Sequence, residues 1–351
     1  MRKIVLSFLF LCMMTSVSAQ IEKATELFNQ ASQQLSKGNY TEAVSLLKKS
    51  IEIEPLGYAL LYLGDLYATG KGVFVNYEEA CYYYKLLADV PASKIKSSED
   101  KIMVSYACRN YASLCLSKGL ISQETVGFLE KAHTLTGDAY SEYLLGLFYL
   151  DPDNAKALKL SNTREKGISY LKMSAEKDCI SALSKLSTIY LEMGDEDASF
   201  NCDLKGAQQS LFDISKSKDM FSPLTNPNLS TNPMVVEDWN RCLYNIGYYY
   251  FSEGDVENAL IHLKKVNVPN AKYISMRASC YAANGEKELA KKDIETALAL
   301  APDDGLINNS IAVIYAAIWD DKVIAEKYFK RAIELGFELA KENYNKYILG
   351  E

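Results

Sequence analysis

Histidine and tryptophan are nearly missing from this sequence: the 351 residues hold 2 His, His133 and His262, and 2 Trp. Two histidines, far apart in the chain, leave little material for a His-based metal centre or a triad. No basic run occurs, and 38 Lys and Arg stand against 45 Asp and Glu, a formal net charge of −7. An acidic chain of this kind is unsuited to nucleic acid and to anionic membrane surfaces. Only 8 prolines interrupt it, and no stretch after residue 20 approaches the 18 uninterrupted apolar residues of a membrane span. What is abundant is ordinary core material, with 48% hydrophobic residues and 25 Tyr against 12 Phe. That composition belongs to a folded chain rather than to a polar tail.

The first residues read differently from the rest. Arg2 and Lys3 give a positive start, Ile4–Met14 an apolar run, and Val17-Ser18-Ala19 a small-residue cleavage pattern. This is the layout of a secretory signal peptide over residues 1–19, with cleavage after Ala19. Leu11 precedes Cys12, where a lipoprotein signal needs a small residue, so lipidation is not expected. The product is expected to be exported, periplasmic or secreted, without membrane insertion. Seven cysteines then remain: Cys81, Cys108, Cys115, Cys179, Cys202, Cys242 and Cys280. An odd number cannot all pair within one chain, and the spacings show no repeating framework. They read as small buried hydrophobes, with one incidental disulfide left open. No C-x-x-C occurs and neither His lies near two cysteines, so no zinc site, other metal site or cofactor is expected.

A long period governs everything after residue 20. In Ala24–Pro55, Leu27, Ala31, Gly38, Tyr40, Ala43, Leu47 and Pro55 occupy positions 4, 8, 15, 17, 20, 24 and 32 of a 34-residue unit. Ala271–Pro302 repeats the plan with Ile274, Ala278, Tyr281, Gly285, Ala290, Ile294, Ala297 and Pro302, and Asn240–Val266 with Leu243, Gly247, Tyr250, Gly254, Ala259 and Leu263. The physical reading is a pair of antiparallel helices. Small residues at 8 and 20 allow close approach, which would set Gly247 against Ala259. Large apolar residues at 4, 7, 11, 24 and 27 fill the space, glycine at 15 ends the first helix and proline at 32 the second. One hairpin cannot bury its apolar face alone, so hairpins stack.

These three segments closely resemble tetratricopeptide repeats. Residues 57–88, with Leu63-Gly64, Gly70-Lys71-Gly72, Ala80, Tyr84 and Ala88, resemble the related Sel-like repeat, whose inter-helix turn is longer. Residues 139–177 resemble it too, with an enlarged polar turn over Asp151–Thr163. Ser105–Leu135 and Ile180–Ser217 follow the plan more loosely. Gly305–Gly336 departs from the tetratricopeptide spacing by about one residue around Trp319, and Phe337–Leu349 reads as a cap helix turning Lys341, Glu342, Asn343 and Asn345 to water. The resemblance implies an all-α, right-handed α-solenoid of about eight helical hairpins plus a C-terminal cap helix. The Pro- and Asn-rich stretch at residues 219–236 is expected to be a loop or hinge between repeats at 20–218 and repeats at 237–351.

Catalytic signatures are thin. Gly64–Gly72 has five residues between glycines where a phosphate loop needs four, and Gly72 stands where that loop needs Ser or Thr. The pairs Asp303-Asp304 and Asp320-Asp321 sit where helices start and read as caps. No catalytic residue is expected. In this repeat family the first helix of each hairpin lines a concave groove, through positions 2, 5, 9, 12 and 13. Carried over, these are Arg241, Tyr244, Tyr248, Phe251 and Ser252 in one hairpin, and Tyr140, Tyr143 and Leu147 in another. Tyr58, Leu61, Tyr106 and Arg109 hold the corresponding places elsewhere. Aromatic and Arg side chains on one stripe are the types enriched at interaction hot spots, although some of these rings must belong to the core. The resemblance implies a non-enzymatic scaffold that binds a protein or peptide in the bacterial cell envelope. Stacking of the tyrosines on sugar rings offers a glycan-binding alternative, and a cell-wall hydrolase a third.

Overall fold

The structure is a computed structural model that describes residues 2–209 and 233–351; among these every regular element is helical. Helix α1 (Arg2–Ser36) pairs with α2 (Tyr40–Ile53), α3 (Gly57–Thr69) with α4 (Tyr77–Ala88), and α5 (Ser98–Ser117) with α6 (Gln123–Thr136). The fourth hairpin joins α7 (Ala139–Leu150) to α9 (Thr163–Glu176). The fifth joins α10 (Ile180–Glu192) to α11 (Glu196–Gln208), tied by Ser187 and Asp203 at 2.6 Å. Then come α12 (Pro233–Ser252) with α13 (Val256–Leu263), α14 (Ala271–Ala283) with α15 (Lys287–Leu300), and α16 (Gly305–Val313) with α17 (Lys322–Glu334). Helix α18 (Leu339–Tyr344) closes the series and ends in a π turn, Asn345–Leu349. The architecture is an α-solenoid of stacked hairpins. It forms two compact units, one running to Ala182 and the other beginning at Leu183. Residues 219–232 of the expected loop lie outside the described residues, and Pro233–Val236 is the first turn of α12.

The repeat positions account for the packing, with one correction. An added Cβ on Gly247 would lie 2.6 Å from Cγ of Leu263, so position 8 receives position 24 rather than Ala259 at position 20. Gly64 likewise sits under the ring of Tyr84, whereas Gly146 meets both positions: its Cβ would lie 2.6 Å from Leu171 and 3.2 Å from the carbonyl of Gly167 at position 20, so there the two small residues do approach closely. Ala31 with Leu47, and Ala278 with Ile294, share their cores in the same way. Expected apolar residues at position 27 are serines in two hairpins. Ser50 donates to the Ala24 carbonyl at 2.8 Å and Ser174 to that of Ala139 at 2.6 Å, closing each hairpin at its base.

Turns follow from local chemistry. Gly254 takes φ 81° between α12 and α13, a left-handed conformation that costs glycine nothing. Pro55 and Pro302 stop α2 and α15; Glu54 before Pro55 is already extended at φ −153°, and Ala301 before Pro302 has left the helical region at φ −147°. Asp304 and Asp321 cap α16 and α17, each accepting a backbone N–H at 3.1 Å.

Two irregularities carry more information. The Asp151–Thr163 segment is not only a turn: Asp151 accepts from the Asp153 N–H at 2.8 Å and Pro152 opens the short helix α8 (Pro152–Leu158). The one-residue departure near Trp319 is a π turn, Ile314–Ile318, which absorbs an extra residue before the hairpin turns. In consequence the left-handed residue is Asp320, at φ 52°, one place later than the glycine of other hairpins. Beyond it, Asn343 of the cap helix turns inward and donates to Asn309 at 3.0 Å rather than facing water.

Candidate functional site

In the second unit, α12 presents Glu237, Arg241, Tyr244 and Tyr248 at steps of three and four residues, one face of the helix. The rings form a ladder. Tyr248, 55% exposed, stacks on Tyr244 with centroids 6.3 Å apart at 27°. Tyr244 stacks in turn on Tyr273 of α14, at 5.0 Å and 30°. The far end is fixed, because the Tyr273 hydroxyl donates to Glu237 at 2.8 Å. The near end, Tyr248, is open.

Charge surrounds this ladder. Lys272 Nζ lies 4.7 Å above the Tyr244 ring, a cation–π contact. Arg241 is held by Ser184 Oγ at 2.6 Å from Nε and by Asp238 at 2.8 Å, with part of its side chain still in solvent. Burial, and then the neighbouring Tyr248, push the Tyr244 phenol up to about 12. Burial and the Glu237 carboxylate raise that of Tyr273. The hydroxyls of Tyr244 and Tyr273 are therefore neutral in the physiological range and serve as hydrogen-bonding groups. Below it, Asp203 accepts from Ser187 at 2.6 Å and Asn245 at 3.0 Å, while burial raises its pKa. Phe251 packs against the core shared by α13, α14 and α15, and Ser252 is exposed.

The first unit uses the equivalent positions differently. Tyr140 and Tyr143 stack at 6.1 Å and 28°, but Tyr143 is only 7% exposed. Arg109 is buried between the rings of Tyr106 and Tyr140, at 5.0 and 5.3 Å, and pairs with Asp138 at 2.7 Å. Asp138 also caps α7, accepting from Ser141 N–H at 2.9 Å. Burial opposes ionisation of this carboxyl, yet Arg109 and Ser141 together bring it down to about 2. Leu61 is buried and Tyr58 donates to Glu99. This half of the expected stripe is thus an internal network between neighbouring hairpins. The open face is the one on α12.

Tyr273, Lys272 and Glu237 are absent from the sequence-derived stripe. Tyr273 sits at position 3 of its hairpin, and it reaches the ladder only because α14 packs beside α12. Nothing in the sequence period marks that neighbour. Both histidines lie in second helices, as their positions imply: His262 stacks on Tyr250 at 5.9 Å and His133 lies 3.2 Å from Glu142. Gly64 of the glycine-spaced segment lies inside α3. Among the described residues no cluster of three or more His, Cys, Asp or Glu could hold a metal ion. None of their helices is long and apolar enough to cross a membrane.

Comparison with known proteins agrees with this architecture. A Sel1 repeat model matches residues 57–89, 131–179 and 320–337, and a tetratricopeptide repeat model matches residues 241–267 and 271–304. No curated protein matches the chain. Among solved structures, a Sel1 repeat protein from Oxalobacter formigenes is similar over 95% of this chain and 91% of its own, at 16% identity and a TM-score of 0.49. The apo form of the quorum sensor NprR from B. thuringiensis is similar over 95% and 98%, at 13% identity and a TM-score of 0.41. Human IFIT1, solved as a dimer with m7Gppp-AAAA, is similar over 89% of this chain and 62% of its own, at 19% identity and a TM-score of 0.37. Sel1 repeats thus match on α3–α4, α7–α9 and α17, and tetratricopeptide repeats on α12–α15, so the family models recognise helical repeats in both units.

Proposed function

We propose that this protein is a non-enzymatic scaffold of the bacterial cell envelope, exported by its N-terminal leader, that holds a peptide segment of a partner protein on the α12–α14 face. Sel1 and tetratricopeptide hairpins generally serve as scaffolds for protein–protein contacts. The observation that carries the finer reading is the ladder Tyr248–Tyr244–Tyr273, anchored by Glu237 at one end and open at the other. A pre-ordered ring costs little entropy to use and offers an apolar face with a polar edge. Lys272 and Arg241 beside it favour a segment that sets an apolar or aromatic side chain next to a carboxylate.

The flat, exposed Tyr248 ring also suits a pyranose, which makes a glycan the second reading. Crosslinking capture from the native envelope fraction, with the wild type beside Tyr248→Ala, separates the two. A protein recovered by the wild type and lost by the folded variant is the expected result. Recovery of the same protein by both refutes the α12 face as the site. Retention on cell-wall polysaccharide, lost in Tyr248→Ala without any protein captured, would favour the glycan.

A further inference from the structure

Helices α4 and α5 pack antiparallel, and three contacts fix their register. At one end Lys118 Nζ lies 4.4 Å over the ring of Tyr77. Two turns along, Lys85 Nζ lies 5.7 Å from that of Tyr111, and beyond it Cys108 Sγ reaches the Ala88 carbonyl at 3.9 Å. Between the first two rungs, one turn on from Tyr77 along α4 is Cys81, and one turn back from Lys118 along α5 is Cys115. The register therefore sets the two cysteines opposite one another. Both are free thiols, Cys81 partly exposed and Cys115 buried. We propose that Cys81 and Cys115 are a redox-active pair whose disulfide staples the second hairpin to the third.

The surroundings favour the chemistry. The Cys81 thiol donates to the Cys115 sulfur, and the hydroxyls of Tyr111 and Thr125 add to it, so that despite burial Cys115 falls to about 7. The pair thus gives up a proton near neutrality, and the thiolate is the reactive form. The oxidant is a disulfide, either a small molecule or an oxidised dithiol protein. Cys81, which holds the shared proton in the resting pair, passes it to the Cys115 sulfur. The solvent-reachable Cys81 thiolate attacks one sulfur of that disulfide, forming a mixed disulfide and releasing one thiolate, which takes the proton back from Cys115. Cys115 then attacks the Cys81 sulfur and expels the second thiolate. Two thiols are oxidised, one external disulfide is reduced to two thiols, and the two cysteine protons pass to the leaving thiolates. The enclosed loop, Cys81 to Cys115, contains the whole α4–α5 turn, so closing it constrains the unfolded chain.

The full chain, reduced and freed of reductant, is incubated with oxidised glutathione, alkylated and digested without reduction. A peptide pair linked through Cys81 and Cys115 is expected, with a free-thiol titre lower by two. The thermal midpoint should rise by roughly 5–10 °C and return with dithiothreitol. Cys81→Ser, at a partly exposed position, should match the reduced wild type in helicity and midpoint and ignore the oxidant. Absence of the linked peptide from folded, oxidant-treated wild type overturns the proposal, as does linkage through other cysteines. So does a Cys81→Ser midpoint that still climbs with oxidant.

Discussion

Leu263 closes directly onto the backbone of Gly247: a methyl carbon added there would stand 2.6 Å from Leu263 Cγ and 2.9 Å from one of its terminal methyls. The two residues are the small and large halves of one contact between α12 and α13. Gly247→Ala should therefore destabilise the protein by about 1–3 kcal/mol, despite alanine's better helix propensity. Leu263→Ala should cost about 2–5 kcal/mol. Because each change relieves the other, the double variant should be more stable than the sum of the two predicts. Urea unfolding of the four proteins tests this; strict additivity would mean that the two residues do not meet.

The Arg109–Asp138 pair makes the first unit acid-sensitive. Its folded carboxyl titrates at about 2 against an ordinary 3.8, so the stabilisation is complete above the ordinary value and is lost as pH falls towards 2. The size is about 2 kcal/mol. Asp138→Asn, which strands Arg109, should cost about 3 kcal/mol at pH 6, and its deficit against wild type should shrink by about 2 kcal/mol by pH 2.5. A deficit that is constant with pH would assign the cost to helix capping alone.

Asp320 holds the left-handed conformation that glycine holds in neighbouring hairpins. Asp320→Gly removes that strain and should stabilise by about 0.5–1 kcal/mol. A thermal midpoint that falls would show that the Asp320 side chain contributes more than its backbone costs.

Tyr248 and Tyr244 should separate surface from support. Tyr248→Ala is expected to leave stability within about 0.5 kcal/mol, whereas Tyr244→Ala, which also breaks the stack on Tyr273, should cost roughly 1–3 kcal/mol. Equal losses in denaturant unfolding would make both rings structural and remove the open end of the ladder.

Helix boundaries and the hairpin order were legible because the signals are local: an Asp cap, a left-handed glycine, a proline past the end. Even the misfit around Trp319 was visible as one residue too many, and the Ile314–Ile318 π turn is its physical form. Helix α8 does not stand out from the repeat pattern although Asp151-Pro152 is a helix-start signal, because the run that follows is short and polar. Site assignment is harder. Position 5 holds Tyr143 in one hairpin and Tyr244 in another, and the sequence treats them alike. What distinguishes them is the neighbour. Asp138 caps α7 and draws Arg109 across Tyr140, closing that region, while among the described residues nothing comparable covers Tyr248.

The pairing of positions 8 and 24 has a consequence for how such a chain can be rearranged by duplication. Tyr84 fits only because Gly64 has no side chain, whereas Leu47 and Ile294 lie over alanines, Ala31 and Ala278. A recombination that carried α4 onto α1 or α14 would bring a tyrosine ring against a methyl group. Whole hairpins can be copied, lost or exchanged as modules, whereas a half-hairpin can move only to a partner helix with the matching residue at position 8, so the inherited unit is the matched pair of helices.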